Sequence, residues 1–264
     1  MYNRVSQVVT MSPPVRNGLR DLAVAAAAVY GNGRLVQYQD ATGASRVTCN
    51  FRVLLQSARP INRDAACALA AFNQATLPQD GVKTAVILLA AATKRFSAIG
   101  GTAKDLVDIA DLLDYGTTYL ERVAHETDGQ LLGGSLPYMT LIRPIVKHAR
   151  DHDCLRAADV LSYALVRPLL CLAEAAGDDG AAVYERVKAL APNQFFSLHQ
   201  VGIARSISTD TPYTDILTMG YDPTDGCIKD CRETAYRENL ADIQQVLHFV
   251  KTTLNTLYNI AAHI

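Results

Sequence analysis

Long apolar runs, an excess of charge of either sign and a patterned cysteine framework are all missing from this chain of 264 residues. The uninterrupted stretch Ala85 to Ala92 is far short of the roughly twenty residues that cross a bilayer, so no membrane partner is expected. A formal net charge of −1 removes any global electrostatic reason to expect nucleic acid or a lipid surface. An anion site, if there is one, must be a local patch. The six cysteines (Cys49, Cys67, Cys154, Cys171, Cys227 and Cys231) are scattered, several inside predicted helices as small apolar residues. That usage suits a reducing compartment better than a disulfide scaffold. Met1 to Pro14 lacks a basic start followed by an apolar core, so no secretory leader is expected. The chain reads as soluble and intracellular, cytoplasmic or, if viral, carried in a virion.

Familiar catalytic signatures are missing as well. There is no phosphate loop, no G-x-G-x-x-G after a strand, no G-x-S-x-G elbow and no H-E-x-x-H. The segment Gly129 to Pro137 is glycine-rich, but no strand is predicted before it and no lysine follows. It reads as an interhelical loop with Ser135 as a cap. These absences lower the expectation of an enzyme without removing it, because catalytic residues often come from distant positions. No cofactor and no metal are expected.

What is present is helix. Hydrophobic residues make up 49% and charged residues 19%, a globular balance, and the Ala-rich stretches Ala25 to Ala28 and Ala90 to Ala92 favour helix. The predicted fold is mainly α, a multi-helix bundle with one N-terminal β-hairpin and an extended N-terminal arm. The arm covers 1–14, stiffened by Pro13-Pro14, and 15–60 holds a helix (15–30) and the hairpin. The hairpin strands are 34–39 and 46–56, rich in β-branched and aromatic residues around the turn Asp40-Ala41-Thr42-Gly43. A helical core spans 61–207, with helices at 62–75, 82–98, 103–126, 138–151, 154–176, 180–190 and 194–207. A connector, 208–226, then leads to a last helix at 229–262. Nineteen residues is long for a structureless loop. Leu141-Ile142-Arg143-Pro144 recurs faintly as Leu165-Val166-Arg167-Pro168, and each proline is expected to kink or restart a helix.

The last helix carries the sharpest pattern. Tyr236, Leu240, Ile243, Leu247, Val250, Leu254, Leu257 and Ala261 alternate in steps of four and three, an apolar edge that needs a partner surface. Its flanks (Gln244, Gln245, Thr252, Thr253, Asn255, Thr256, Asn259) are polar but uncharged, unlike a solvated zipper. Protein on more than one side is therefore expected, and Leu240 to Leu257 are the predicted oligomerisation residues.

The most suggestive surface is basic. Arg143, Lys147 and Arg150 share one helix face, and Arg156, Tyr163 and Arg167 fall within a narrow arc of the next helix. If the two helices form an antiparallel hairpin, both stripes can line one groove. Cations would neutralise a nucleic-acid backbone there while the tyrosine stacks on a base. The blander reading is a solvated face, partly neutralised by Asp151, Asp153 and Asp159.

Three other constellations fall to simpler explanations. Asp105, Asp108, Asp111 and Asp114 each step roughly 60° around a helix, so they diverge and read as a solvated face. Glu121 and His125 have the spacing of a surface pair, not of a di-iron Glu-x-x-His motif. Cys227-x-x-x-Cys231 misses zinc spacing, and on a helix it would make a strained disulfide.

Arm, hairpin, terminal helix and basic groove together point to a self-assembling structural protein, a coat or nucleocapsid type that packages RNA and whose main partner is itself. The alternative is an all-α enzyme or small-ligand protein with a pocket between helices 103–126 and 138–176, lined by Glu121, His125, Arg143, His148 and Tyr163. An intracellular adaptor that binds another protein through the seam is the third option.

Overall fold

A computed structural model describes residues 9, 11–31, 35–39, 42–57, 72, 78, 81–125, 129–190, 218–234 and 237–261. It is mainly α-helical with small antiparallel strand pairs, as the periodicity requires. The chain divides into two compact units, one formed by 1–106 with 241–264 and the other by 107–240. Among the described residues no helix is long and apolar enough to cross a membrane.

The first unit opens with α1, Pro13–Ala28. Pro13-Pro14 therefore start a helix and do not end an arm: proline's fixed φ and missing amide cost nothing in a first turn. The arm's residues 1–8 and 10 lie outside the described residues. Val9, just before α1, gives its amide to the Gly101 carbonyl at 2.9 Å. Strands β1 (Val36–Gln39) and β2 (Ser45–Thr48) pair antiparallel, Val36 opposite Thr48 and Gln39 opposite Ser45. The second strand is shorter than expected, because the chain turns into α2 (Phe51–Ser57) at Asn50. The Asn50 Oδ1 accepts the Arg52 amide at 2.9 Å, a cap that ends the strand and opens a helix. Phe51 and Leu54, one turn apart, then face inward.

Helix α3 (Val82–Ala98) matches its expected limits. It is apolar over most of its circumference and is buried accordingly, from Val82 to Phe96. It packs on α1, where the Tyr30 and Thr84 hydroxyls meet at 2.9 Å and Lys83 reaches the Val29 carbonyl at 3.0 Å. Helix α4 (Ala103–His125) begins at a capping box. The Asp105 Oδ2 accepts both the Thr102 amide and the Thr102 hydroxyl at 2.8 Å, and the Asp105 amide returns to Thr102 Oγ1 at 3.2 Å. Asp105 is thus a buried cap, and only Asp108, Asp111 and Asp114 are left to the solvated face of the helix.

The second unit holds the rest of α4, then strand β3 (Gln130–Leu132) and helices α5 (Leu136–Thr140), α6 (Ile142–Asp151), α7 (Leu155–Ala176) and α8 (Gly180–Leu190). The expected helix 138–151 is two helices that meet at Leu141. Ser135 sits in the left-handed region, φ 67°, and its side chain makes no cap bond, so the expected cap role is not taken up. Pro144 lies in the first turn of α6, whereas Pro168 lies inside α7, where the Ala164 carbonyl loses its usual amide. The two proline motifs are structurally unlike. Helices expected at 62–75 and 194–207 lie largely or wholly outside the described residues.

Two further strand pairs correct the expectation of a single hairpin. Strands β4 (Met219–Asp222) and β5 (Cys227–Asp230) form a hairpin at the end of the connector, and β6 (Arg237–Asn239) pairs with β3. Their Asp, Thr, Pro and Gly residues read locally as loop. The turn 223–226 uses that composition, with Asp222 and Asp225 accepting the Thr224 and Cys227 amides at 2.9 and 3.2 Å and Gly226 at φ 69°. Helix α9 (Leu240–Ala261) therefore starts eleven residues later than expected.

Helix α9 also answers what covers the seam. Ile243, Leu247, Val250, Leu254 and Leu257 are 1–3% exposed in the single chain. Val246, Phe249, Thr253 and Tyr258 widen the buried face on both sides of the seam. Phe249 meets Phe72 edge-on at 5.5 Å, and Phe96 packs on Tyr258 at 4.7 Å. These five residues, expected at an oligomer contact, are thus covered within the single chain. Leu240, at the helix start, is half-buried. Gln244, Gln245, Thr252, Asn255 and Thr256 are half-buried flanks, which explains their lack of charge.

Candidate nucleic-acid interface

Helices α6 and α7 form the helical hairpin that the basic stripes require. They pack on each other across a tight turn in which the Cys154 amide returns to the Ala149 carbonyl at 2.9 Å and Asp153 takes φ 54°. Helix α4 covers another side of α6, where Gly116 allows Leu141 and Ile145 to come close. Ile142, Ile145, Val146 and Ala149 of α6 are buried, so Arg143, Lys147 and Arg150 are left on the opposite arc. Lys147 is exposed, and Arg143 and Arg150 are half-buried. On α7, Arg156 is exposed while Tyr163 and Arg167 are half-buried, and the rest of the helix packs inward. Exposed Asp151 and Asp153 and half-buried Asp159 share the hairpin.

Two polar groups of this hairpin stand out. The Arg150 Nε and Nη2 are out of contact with solvent and have no hydrogen-bond partner among the described residues. The Ser162 hydroxyl on α7, 2% exposed, is in the same condition. A guanidinium nitrogen covered without an acceptor is costly, because it has given up water for nothing.

A second feature of α6 was only half visible in the sequence. His148 and His152 sit one turn apart and stack, with ring centroids 4.0 Å apart and 24° between planes. Tyr115 of α4 covers the other face of His148, again at 4.0 Å and 16°. The His152 Nδ1 lies 2.8 Å from the His148 carbonyl. A carbonyl only accepts, so the His152 Nδ1 is the donor of this bond. Burial lowers the His148 pKa below the ordinary imidazole value; the neighbouring His152 adds to this and Asp151 opposes it. His148 is therefore neutral at neutral pH, with ring neighbours on both faces. Glu121 and His125, the other proposed pocket lining, are exposed near the end of α4.

The β4–β5 turn forms another cluster that sequence reasoning passed over. The Tyr221 hydroxyl donates to Asp178 Oδ2 at 2.6 Å. Lys229 bonds Asp222 at 3.1 Å and also pairs with Asp225. These two carboxylates hold its proton well above the ordinary lysine value, Asp225 most strongly. The acidic turn thus already carries a cation of its own. Cys227 is exposed and Cys231 buried on strand and turn, not on a helix, and burial pushes the Cys231 thiol up. Cys49, Cys154, Cys171, Cys227 and Cys231 are all free thiols. Among the described residues no group of three or more His, Cys, Asp or Glu is placed to hold a metal.

No protein-family model matches the chain, and no curated protein matches its sequence.

Proposed function

We propose that the chain is a self-assembling structural protein, coat- or nucleocapsid-like, that packages RNA along the α6–α7 hairpin. The observation that carries this reading is the set of cations Arg143, Lys147 and Arg150 on the outer arc of α6, with Arg156 and Arg167 on the adjoining α7. Phosphate oxygens form charge-assisted bonds to such surface cations. Arg143, Lys147, Arg156 and Arg167 on the same hairpin extend the contact to several phosphates, and Tyr163 offers a ring to a base. A near-neutral chain is compatible with this, since counterion release depends on the few cations at the contact. The assembly half rests on β1–β2. This sheet has two strands among the described residues, and Leu35 and Val47 are 66% and 60% exposed. A two-stranded hairpin with outward apolar side chains gains from a strand of another copy. Such a protein works in the cytoplasm of the cell that makes it, or in a virion.

Anisotropy of a labelled single-stranded RNA, titrated over a range of salt, tests the reading. Binding is expected at about 50 mM salt and should weaken on a log–log slope near −0.7 per phosphate contacted. Replacing Arg143, Lys147, Arg150, Arg156 and Arg167 together by Ala should abolish it. Wild-type protein that binds no RNA at low salt, or a substituted protein that binds as well as wild type, sinks the RNA reading. Light scattering that shows a monomer with and without RNA sinks the assembly reading.

A further inference from the structure

The column Tyr115–His148–His152 ends in an open aromatic face, and we infer that an unpaired nucleobase carrying an exocyclic amine stacks on His152 as the next ring. The inference rests on the RNA reading above and adds to it a base contact outside the basic stripes. Tyr115 and His148 are half-buried and His152 is exposed, so the column runs from the packed α4–α6 contact out to water. Spacings of 4.0 Å and tilts of 16° and 24° are those of stacked aromatic rings, and one more planar ring continues the series. The His152 ring is held for this: its Nδ1–H donates to the His148 carbonyl at 2.8 Å, which fixes the ring plane. A preoriented ring loses little freedom when a base lands on it.

The charges around His152 select the base over the phosphate. Asp151 and Asp153, both exposed, flank it and repel a phosphate while offering acceptors to the amino group of adenine, cytosine or guanine. The phosphates have their cations elsewhere on α6, with exposed Lys147 one turn before Asp151. His152 lies about half a turn around α6 from the Arg143–Lys147–Arg150 stripe, so the base it takes belongs to a nucleotide beyond those whose phosphates the stripe holds.

The probe is a short oligoadenylate with one 2-aminopurine, whose fluorescence is quenched when it stacks. Wild type should quench it on binding. His152→Ala should lose the quench and about tenfold in affinity, with the salt slope unchanged, because phosphate contacts remain. His152→Tyr, which restores a ring, should recover the quench, and circular dichroism should show both variants folded. Binding with a quench that His152→Ala leaves intact overturns the base platform and spares the RNA reading. Loss of the quench in both folded variants overturns it too, since a ring face would then not be the contact. A wild-type protein that binds no oligoadenylate at low salt overturns both readings.

Discussion

The buried phenol of Tyr221 donates to the carboxylate of Asp178 at 2.6 Å, tying the β4–β5 hairpin to the turn between α7 and α8. The same carboxylate lies where a Cβ on Gly226 would come within 3.1 Å, so the hairpin's own turn closes around this contact. Tyr221→Phe removes the bond and leaves the ring. Because Asp178 is exposed, the cost should be about 1 kcal/mol, at the low end for a bond to a charged group. A thermal melt should show a midpoint lower by about 2–4 °C. Burial first, and the bond to Asp178 second, hold the Tyr221 proton above its ordinary value. The folded state therefore keeps a proton that the unfolded chain releases near pH ~10, and this stability is present below ~10 and lost as pH rises further. Wild type should accordingly lose more stability than Tyr221→Phe on alkaline titration, and equal losses would discount the bond.

Gly81 opens α3 at φ 74°, and a Cβ there would lie 2.6 Å from Val246 Cγ2 on α9. Gly81→Ala combines left-handed strain with overpacking and should cost about 2–4 kcal/mol. Adding Val246→Ala should return part of that loss, a coupling readable in a double-mutant cycle by urea denaturation. If α9 packs within its own chain, the midpoint of every variant is independent of protein concentration. A midpoint that moves with concentration would return α9 to an intersubunit role.

The neutral His148 makes acid stability predictable. Its folded pKa is lowered by burial, then by His152, against the opposing Asp151. The unfolded chain takes up this proton first, near the ordinary value of about 6.5, so stability rises with pH below that point. The contribution is complete above about 6.5 and lost as pH falls through the lowered folded value. Melting should occur at lower temperature at pH ~5 than at pH ~7.5, and His148→Phe, which keeps the stack without titrating, should flatten part of the difference. Parallel pH curves for the two proteins would remove His148 as the cause.

The capping box at the start of α4 makes a simpler prediction. Thr102→Ala deprives the Asp105 amide of its acceptor and Asp105 of a donor, and should cost about 1–2 kcal/mol in a chemical denaturation. Unchanged stability would show that the box contributes nothing net.

The features that the chain determines by itself are those governed by short-range signals. Glycine and proline breakers and 3.6-residue periodicity place α3 and α8 at their expected limits, since capping and turn geometry act within a few residues. The basic stripes were legible for the same reason, because spacing along one helix fixes which residues share an arc. Strands β3 to β6 were not legible. Each is short, and a strand exists only once a second segment supplies its ladder. The stack on His148 needed Tyr115 from another helix, and the Arg150 nitrogens, without an acceptor among the described residues, needed the packing that covers them. The seam of α9 shows the division most clearly. Its spacing demanded a covered apolar edge, and that edge is covered. Which surface does the covering is a matter of long-range packing, and in the single chain residues such as Phe72 and Phe96 lie against this helix: burying apolar area locally removes it from water without the entropy cost of association.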